Sequence, residues 1–161
     1  MRALKYIDIF SLLIKMEKLS FTREQIMEIQ PHRDPILLVD EVLELVPGDY
    51  VIGRFYVDPE MPVLKGHFPG NPMLPGIYIM ESAGQTSNMV RATMPQYKGK
   101  TSIALGINYT RFYKPVRPGD TMEIHSRLVA HREDKGILTM RSQVFVNGEL
   151  VCEHEAASAM R

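Results

Sequence analysis

Apolar and β-branched runs alternate with turn-forming residues along most of the chain, and this pattern predicts a protein built mainly of strands. Thr22 and Gln25 have the spacing of a capping box, so we expect a short helix to begin there and to end before Pro31. Asn147-Gly148 is a strong signal for a hairpin turn. Six segments are predicted to be strands: residues 36–46, 50–57, 102–112, 122–131, 137–146 and 149–157.

The middle of the chain divides into an irregular part and a helical part. Residues 58–76 are dense in proline and glycine, and we expect no regular secondary structure there because each proline fixes φ and lacks a backbone donor. Residues 77–93 contain no proline and are rich in Ile, Met and Ala, which predicts the one long helix, apolar on most sides and deeply buried. This element order predicts an α+β fold, with an antiparallel sheet wrapped around the helix.

Composition and charge limit the binding partners and the cellular compartment that we expect for this protein. Nineteen Lys and Arg residues balance nineteen Asp and Glu residues, so net charge gives no reason to expect binding to nucleic acid or to a membrane. No apolar run approaches the roughly 20 residues that span a bilayer. Cys152 is the only cysteine, which excludes an intrachain disulfide and a cysteine-based metal site. A lone cysteine suits a reducing compartment, and we expect a cytoplasmic location.

The first 20 residues differ from the rest of the chain. Their apolar residues are interrupted by Asp8 and Lys15, and no small-residue cleavage site follows, so the pattern favours an amphipathic extension over a signal peptide. Met1 and Met16 are both candidate natural starts. We therefore predict an N-terminal extension over residues 1–20 and a single domain over residues 21–161.

A loop that runs into the predicted long helix carries the candidate chemistry. His67 lies in this loop, and histidine is the side chain that titrates near neutral pH. Pro75 and Gly76 stand at the helix entrance. The unpaired N–H groups and the positive end of the helix dipole suit a carbonyl oxygen that gains negative charge.

Glu81 lies about one turn into this helix among apolar and small residues, and Gln85 follows at i+4. Burial in such surroundings raises the pKa of a carboxyl group, as a proton donor at neutral pH requires. A loop histidine or a lone helical glutamate can each be purely structural. Their combination at one helix entrance favours catalysis by His67 and Glu81, through α-proton removal and leaving-group protonation.

Three ordered motifs resemble one known family. The segment HFPGNPMLPG at residues 67–76, followed by Glu81 and Gln85, resembles the signature of the FabZ-type β-hydroxyacyl-acyl-carrier-protein dehydratases. The stretches PHRDPILLVD at residues 31–40 and RFYKPVRPGD at residues 111–120 agree with it. The resemblance covers roughly residues 21–157.

The resemblance implies a hotdog fold that assembles as a homodimer. Whether these dimers assemble further into a trimer of dimers is not decided by the sequence. The expected substrate is a 3-hydroxyacyl thioester on acyl carrier protein, and the expected product is the trans-2-enoyl thioester. No metal and no redox cofactor is expected, because elimination of water passes no electrons to an acceptor.

The resemblance also implies roles for individual residues at a dimer interface. His67 of one subunit faces Glu81 of the partner subunit, and the pair performs the proton transfers. The backbone N–H groups of Phe68 and Gly76 stabilise the thioester oxygen, with Gln85 and Pro75 in support.

Other functions stay open on sequence alone. A hotdog thioesterase would use a carboxylate near the same helix, although the spacing between the HFPG segment and Glu81 favours a dehydratase. An idle acyl-binding or scaffold subunit would need neither His67 nor Glu81. Departures from the usual family residues at Asp34, Leu74 and Gly84 leave room for a specialised paralogue of a secondary-product pathway.

Several further residues have two interpretations. A basic stretch could dock an acidic carrier protein or form a solvated turn: Arg111, Lys114 and Arg117. Three methionines around the helix could line an acyl tunnel or pack in the core: Met73, Met80 and Met89. His32 is predicted to be structural. The late-strand histidines are predicted to lie on the surface: His125, His131 and His154.

Overall fold

The computed structural model describes residues 18–161, in which seven strands and three α-helices are formed. The strands are β1 (Leu19–Phe21), β2 (Glu41–Val46), β3 (Tyr50–Tyr56), β4 (Ser102–Phe112), β5 (Thr121–Arg132), β6 (Ile137–Val146) and β7 (Glu149–Met160). The helices are α1 (Arg23–Ile29), α2 (Pro62–Gly66) and α3 (Gly76–Ala92), and two 3₁₀ turns span Pro95–Tyr97 and Glu133–Lys135.

The strands form one antiparallel sheet in the order β1-β2-β3-β5-β6-β7-β4, which confirms the predicted α+β class. The last hairpin turns at Asn147 and Gly148, both with positive φ, as a two-residue turn between twisted strands requires. Because β4 pairs only with β7 within the described residues, it leaves one long edge of the sheet open.

Helix α3 packs against strands β2 to β7, and one glycine sets how closely it approaches. A Cβ atom at Gly53 of β3 would lie 2.8 Å from Cγ2 of Thr86, so a larger residue would push the helix away from the sheet. The prediction that α3 is apolar on most sides is wrong. Its buried positions include six polar residues: Ser82, Gln85, Thr86, Ser87, Asn88 and Arg91.

Two predicted boundaries are also wrong, the first for a non-local reason and the second for a local one. The strand expected over residues 36–46 begins only at Glu41, because side chains of α3 bind the backbone of Leu38 on both sides. The irregular stretch over residues 58–76 contains α2, which tolerates Pro62 because the first helical position needs no backbone donor.

The capping box that predicted α1 is present, with reciprocal hydrogen bonds between Thr22 and Gln25. Strand β1 begins at Leu19 and pairs with β2, so the sheet starts two residues before the predicted domain boundary. Residues 1–17 of the predicted extension lie outside the described part. Within residues 18–161, no helix is long and apolar enough to cross a membrane.

Candidate active site

His67 lies at the end of α2, in the loop that leads to α3. Its Nδ1 is 3.0 Å from the carbonyl oxygen of Met73, and the Met73 N–H donates to the His67 carbonyl at 2.9 Å. Since a carbonyl oxygen only accepts, this contact places the ring hydrogen on Nδ1 and leaves the lone pair on Nε2. The imidazole also stacks on the ring of Phe68, with centroids 4.1 Å apart. The basic lone pair of the His67 ring is therefore on Nε2.

Gly76 opens helix α3 directly beneath an aromatic ring. A Cβ atom at this position would lie 2.7 Å from Cζ of Phe112, so only glycine leaves room for that ring. Among the described residues, the Gly76 N–H has no backbone acceptor, as expected at a helix N-terminus. The Phe68 N–H is directed at the Asn71 carbonyl over a long 3.5 Å. Gly76 thus offers the freer of the two predicted N–H donors.

Glu81 is held by Gln85, one turn further along α3. Gln85 Nε2 donates to Glu81 Oε1 at 2.8 Å and to the Ile36 carbonyl at 2.6 Å, and its Oε1 accepts from the Leu38 N–H at 2.8 Å. The expectation that Glu81 is buried is wrong for the single chain, because its side chain is 44% exposed. Its own sheet does not cover this part of α3, where Ile77 is 69% exposed.

His32, which the sequence analysis predicts to be structural, is a neighbour of Glu81. Its Nε2 lies 3.8 Å from Glu81 Oε1, within ion-pair reach although too long for a hydrogen bond. Its Nδ1 is buried and has no hydrogen-bond partner among residues 18–161. The only signal in the sequence was its place in the PHR motif.

A cavity of about 490 Å³ lies between α3 and strands β4, β6 and β7. Glu81 and Met80 line it, whereas His67 does not. Of the other methionines considered for a tunnel, Met89 packs in the core and Met73 is not among the lining residues. A single chain therefore places Glu81 beside the cavity and leaves His67 outside it.

His154 also lines this cavity, and the prediction that it lies on the surface is wrong. It is 5% exposed because β7 runs between β6 and β4, with this side chain on the inner face of the sheet. Burial lowers the pKa of His154, and Thr110 Oγ1 lies 2.8 Å from its Nδ1. Of the other two late-strand histidines, each partly exposed, His125 bonds to Glu123 and His131 to Tyr97.

The three residues of the basic stretch differ in their surroundings. Arg117 Nη1 donates to Asn71 Oδ1 at 2.9 Å and to the Pro72 carbonyl at 3.3 Å, so it braces the loop that follows His67. Lys114 pairs with Glu149 at 2.6 Å, and Arg111 is exposed. Within residues 18–161, no three His, Cys, Asp or Glu side chains are grouped to hold a metal ion.

Comparison with known proteins gives close sequence relatives. A family model described as a FabA-like domain matches residues 30–155. The 3-hydroxyacyl-[acyl-carrier-protein] dehydratase FabZ of Roseiflexus sp. is 41% identical over 139 residues, which are 86% of this chain and 96% of that protein. The FabZ of Latilactobacillus sakei is 40% identical over 132 residues, 82% of this chain and 93% of that protein.

Solved structures with low sequence identity share the fold. The dehydratase heterocomplex ApeI:P from Xenorhabdus doucetiae matches with a TM-score of 0.69 at 16% identity, over 84% of this chain and 90% of that chain. A hypothetical thioesterase with coenzyme A from Streptococcus pneumoniae matches with a TM-score of 0.60 at 15% identity, over 84% and 90%. The chain has the hotdog fold, and it belongs to the FabA-like family, in which its relatives at about 40% identity are FabZ 3-hydroxyacyl-[acyl-carrier-protein] dehydratases.

Proposed function

We propose that this protein removes water from 3-hydroxyacyl groups carried as thioesters on acyl carrier protein, giving trans-2-enoyl thioesters in fatty-acid biosynthesis or a related acyl pathway. The observation that carries the proposal is the orientation of His67, whose Nδ1 contacts the Met73 carbonyl while Nε2 stays available as a base. Glu81 follows fourteen positions later beside an acyl-sized cavity, in a chain aligned over nearly the whole length of FabZ relatives.

In the proposed reaction, His67 Nε2 takes a proton from the carbon next to the thioester carbonyl. The electron pair moves into the carbonyl, and the N–H groups of Gly76 and Phe68 stabilise the oxygen as it gains charge. Glu81 gives its proton to the 3-hydroxyl group as the carbon–oxygen bond breaks, so hydroxide leaves as water. The extra proton on His67 then returns to Glu81 through solvent, which restores both groups for the next cycle.

A homodimer forms part of the proposal, because one chain separates His67 from the cavity beside Glu81. The open edge strand β4 carries three exposed apolar side chains next to that cavity: Ile103, Leu105 and Ile107. Exposed apolar edge strands are surfaces on which strand pairing with another chain is favourable. A second copy on this edge would bring His67 of the partner subunit towards Glu81. Residues 21–161 act as the catalytic domain in this arrangement.

A thioesterase is the second candidate, because a hotdog thioesterase shares the fold. Because that match has low sequence identity, it shows a shared fold and carries no argument about function. The orientation of His67 supports elimination over hydrolysis.

The experiment that tests the function is ultraviolet monitoring of the conjugated enoyl thioester band with a 3-hydroxybutyryl thioester. We expect the band to form with the natural protein and to be lost in His67→Ala and Glu81→Gln. Glu60→Gln, which changes an exposed carboxylate in the loop before α2, serves as the matched control and should keep full activity. Release of free thiol without the band would favour the thioesterase. No reaction even with carrier-linked chains would refute the enzymatic assignment.

A further inference from the structure

Arg91 is a buried cation in the last turn of helix α3. It is 4% exposed, and burial lowers the pKa of its guanidinium to about 10. A group with this pKa is still protonated near neutral pH. The site therefore contains a full positive charge in a region with little access to water.

Within the described part of the chain, the guanidinium is bound only by neutral oxygens. Nη1 donates to the hydroxyl of Ser158, and Nη2 is 3.3 Å from the hydroxyl of Ser87 and 3.5 Å from the carbonyl oxygen of Gly84. Its Nε is buried with no acceptor, and no carboxylate of residues 18–161 forms an ion pair with it. A buried charge without a counter-charge among the described residues is costly, so this site favours the binding of an anion.

Arg91 lines the same cavity as Glu81, at its other end. The cavity wall near Glu81 is largely apolar, with Ile77, Met80 and Ile107. Around Arg91 the wall includes four polar residues: Ser87, Asn88, Ser102 and Ser158. Asn88 Oδ1 is itself buried without a hydrogen-bond partner among the described residues. A purely hydrocarbon chain would leave the buried charge of Arg91 uncompensated.

The distance along the helix limits the length of the ligand. The guanidinium reaches back to Gly84 and Ser87, which are three and six residues beyond Glu81. At 1.5 Å per residue, its charge lies about 5–9 Å further along the helix axis than Glu81. A short to medium acyl chain that begins its chemistry at Glu81 therefore ends near this charge.

We infer that the cavity accepts 3-hydroxyacyl chains that end in a carboxylate, and that Arg91 binds this distal carboxylate. The inference rests on the proposed dehydratase function and names its substrate class. A guanidinium is planar and presents adjacent N–H donors, a geometry that matches the two oxygens of a carboxylate. Binding this ligand would neutralise the buried charge.

The test compares kcat/KM for chains of equal length that end in methyl or in carboxylate. Suitable pairs of thioesters are 3-hydroxyhexanoyl with 3-hydroxyadipoyl, and 3-hydroxyoctanoyl with 3-hydroxysuberoyl. We expect the natural protein to prefer the carboxylate-ended member of at least one pair by about 10- to 100-fold, the range of a charge-assisted hydrogen-bonded contact. Arg91→Met should abolish this preference and keep or improve turnover of the methyl-ended chains. Arg127→Met removes an exposed guanidinium on β5 and should change neither value.

The outcomes separate this inference from the proposed function. Dehydration of methyl-ended chains without any preference for carboxylate would overturn the inference, as expected if a second copy of the chain neutralises Arg91, and would leave the function intact. Dehydration of neither class would overturn the function. In that case, or if Arg91→Met does not fold, the carboxylate site is tested by thermal unfolding of the natural protein in the presence of free suberate or octanoate. Stabilisation by suberate alone supports the site, and equal effects of the two acids refute it.

Discussion

Gln85 donates a hydrogen bond to Glu81 at 2.8 Å and, through the same side chain, holds the backbone of residues 36–38 against helix α3. Its amide oxygen accepts from the Leu38 N–H, so one residue links the orientation of the Glu81 carboxylate, which we propose to be catalytic, to the packing of a buried segment. The resemblance to FabZ enzymes implied a supporting role for Gln85 without indicating these partners.

Replacement of Gln85 by leucine should therefore reduce both stability and turnover. We expect a loss of about 1–3 kcal/mol in the free energy of unfolding, because the buried Leu38 N–H loses its acceptor. We also expect kcat to fall about 10- to 100-fold as Glu81 loses its orientation. Urea denaturation and initial rates measure the two effects. Gln143→Leu removes an exposed amide on β6 that binds Glu153 and serves as the control. An unchanged kcat in Gln85→Leu would show that the hydrogen bond from Gln85 is not needed to orient Glu81.

Gly76→Ala should destabilise the protein by about 1–3 kcal/mol, since the added Cβ meets the ring of Phe112 at 2.7 Å. The Cβ added by Gly84→Ala on the same helix meets nothing within 4 Å in residues 18–161, so this variant should be more stable by up to about 1 kcal/mol through helix propensity. Thermal unfolding of both variants gives the comparison. Phe112→Leu should restore part of the stability lost in Gly76→Ala. Equal stability of the two alanine variants would mean that the ring moves aside freely.

Arg117 and Arg111 should respond differently to the kind of substrate. Arg117→Ala removes the brace on Asn71 and Pro72, so we expect lower kcat/KM with both carrier-linked and small thioester substrates. Arg111→Ala removes an exposed charge, so we expect a higher KM with carrier-linked substrate alone, and a smaller difference at high salt. Steady-state kinetics at two ionic strengths distinguishes these effects. The interpretation of Arg111 as a docking residue for carrier protein is refuted if its substitution leaves carrier-linked kinetics unchanged.

The buried His154 should make stability fall as the pH decreases. Burial lowers its pKa in the folded state, so below the ordinary value of about 6.5 the unfolded chain binds a proton that the folded chain does not. Stability then drops by up to about 1.4 kcal/mol per pH unit until the lowered folded pKa is reached. Urea denaturation between pH 5 and about pH 7.5 should show this pH-dependent loss of stability in the natural protein and in His125→Gln. His154→Gln should lack it, and an identical pH profile would show that His154 does not contribute.

Local patterns were enough to predict most elements of this protein. The capping box at Thr22 and Gln25 predicted α1, and Asn147-Gly148 predicted the β6–β7 hairpin, because both signals act within a few residues. The strand expected over residues 36–40 failed for a non-local reason. An apolar run is equally suited to a strand and to a segment that packs across a helix, and Gln85 and Ser82 decide between them from more than 40 positions away.

The sequence by itself determined the α+β class, the order of the main elements, and the placement of His67 and Glu81 on either side of one helix entrance. All three follow from the order and spacing of residues along the chain. Only the tertiary structure decided which side chains share a cavity. It left His67 outside that cavity, brought His32 to Glu81, buried His154 on the inner face of β7, and enclosed Arg91 without a carboxylate among the described residues. Burial and charge pairing depend on how strands distant in sequence cover the helix, and no local pattern contains that information.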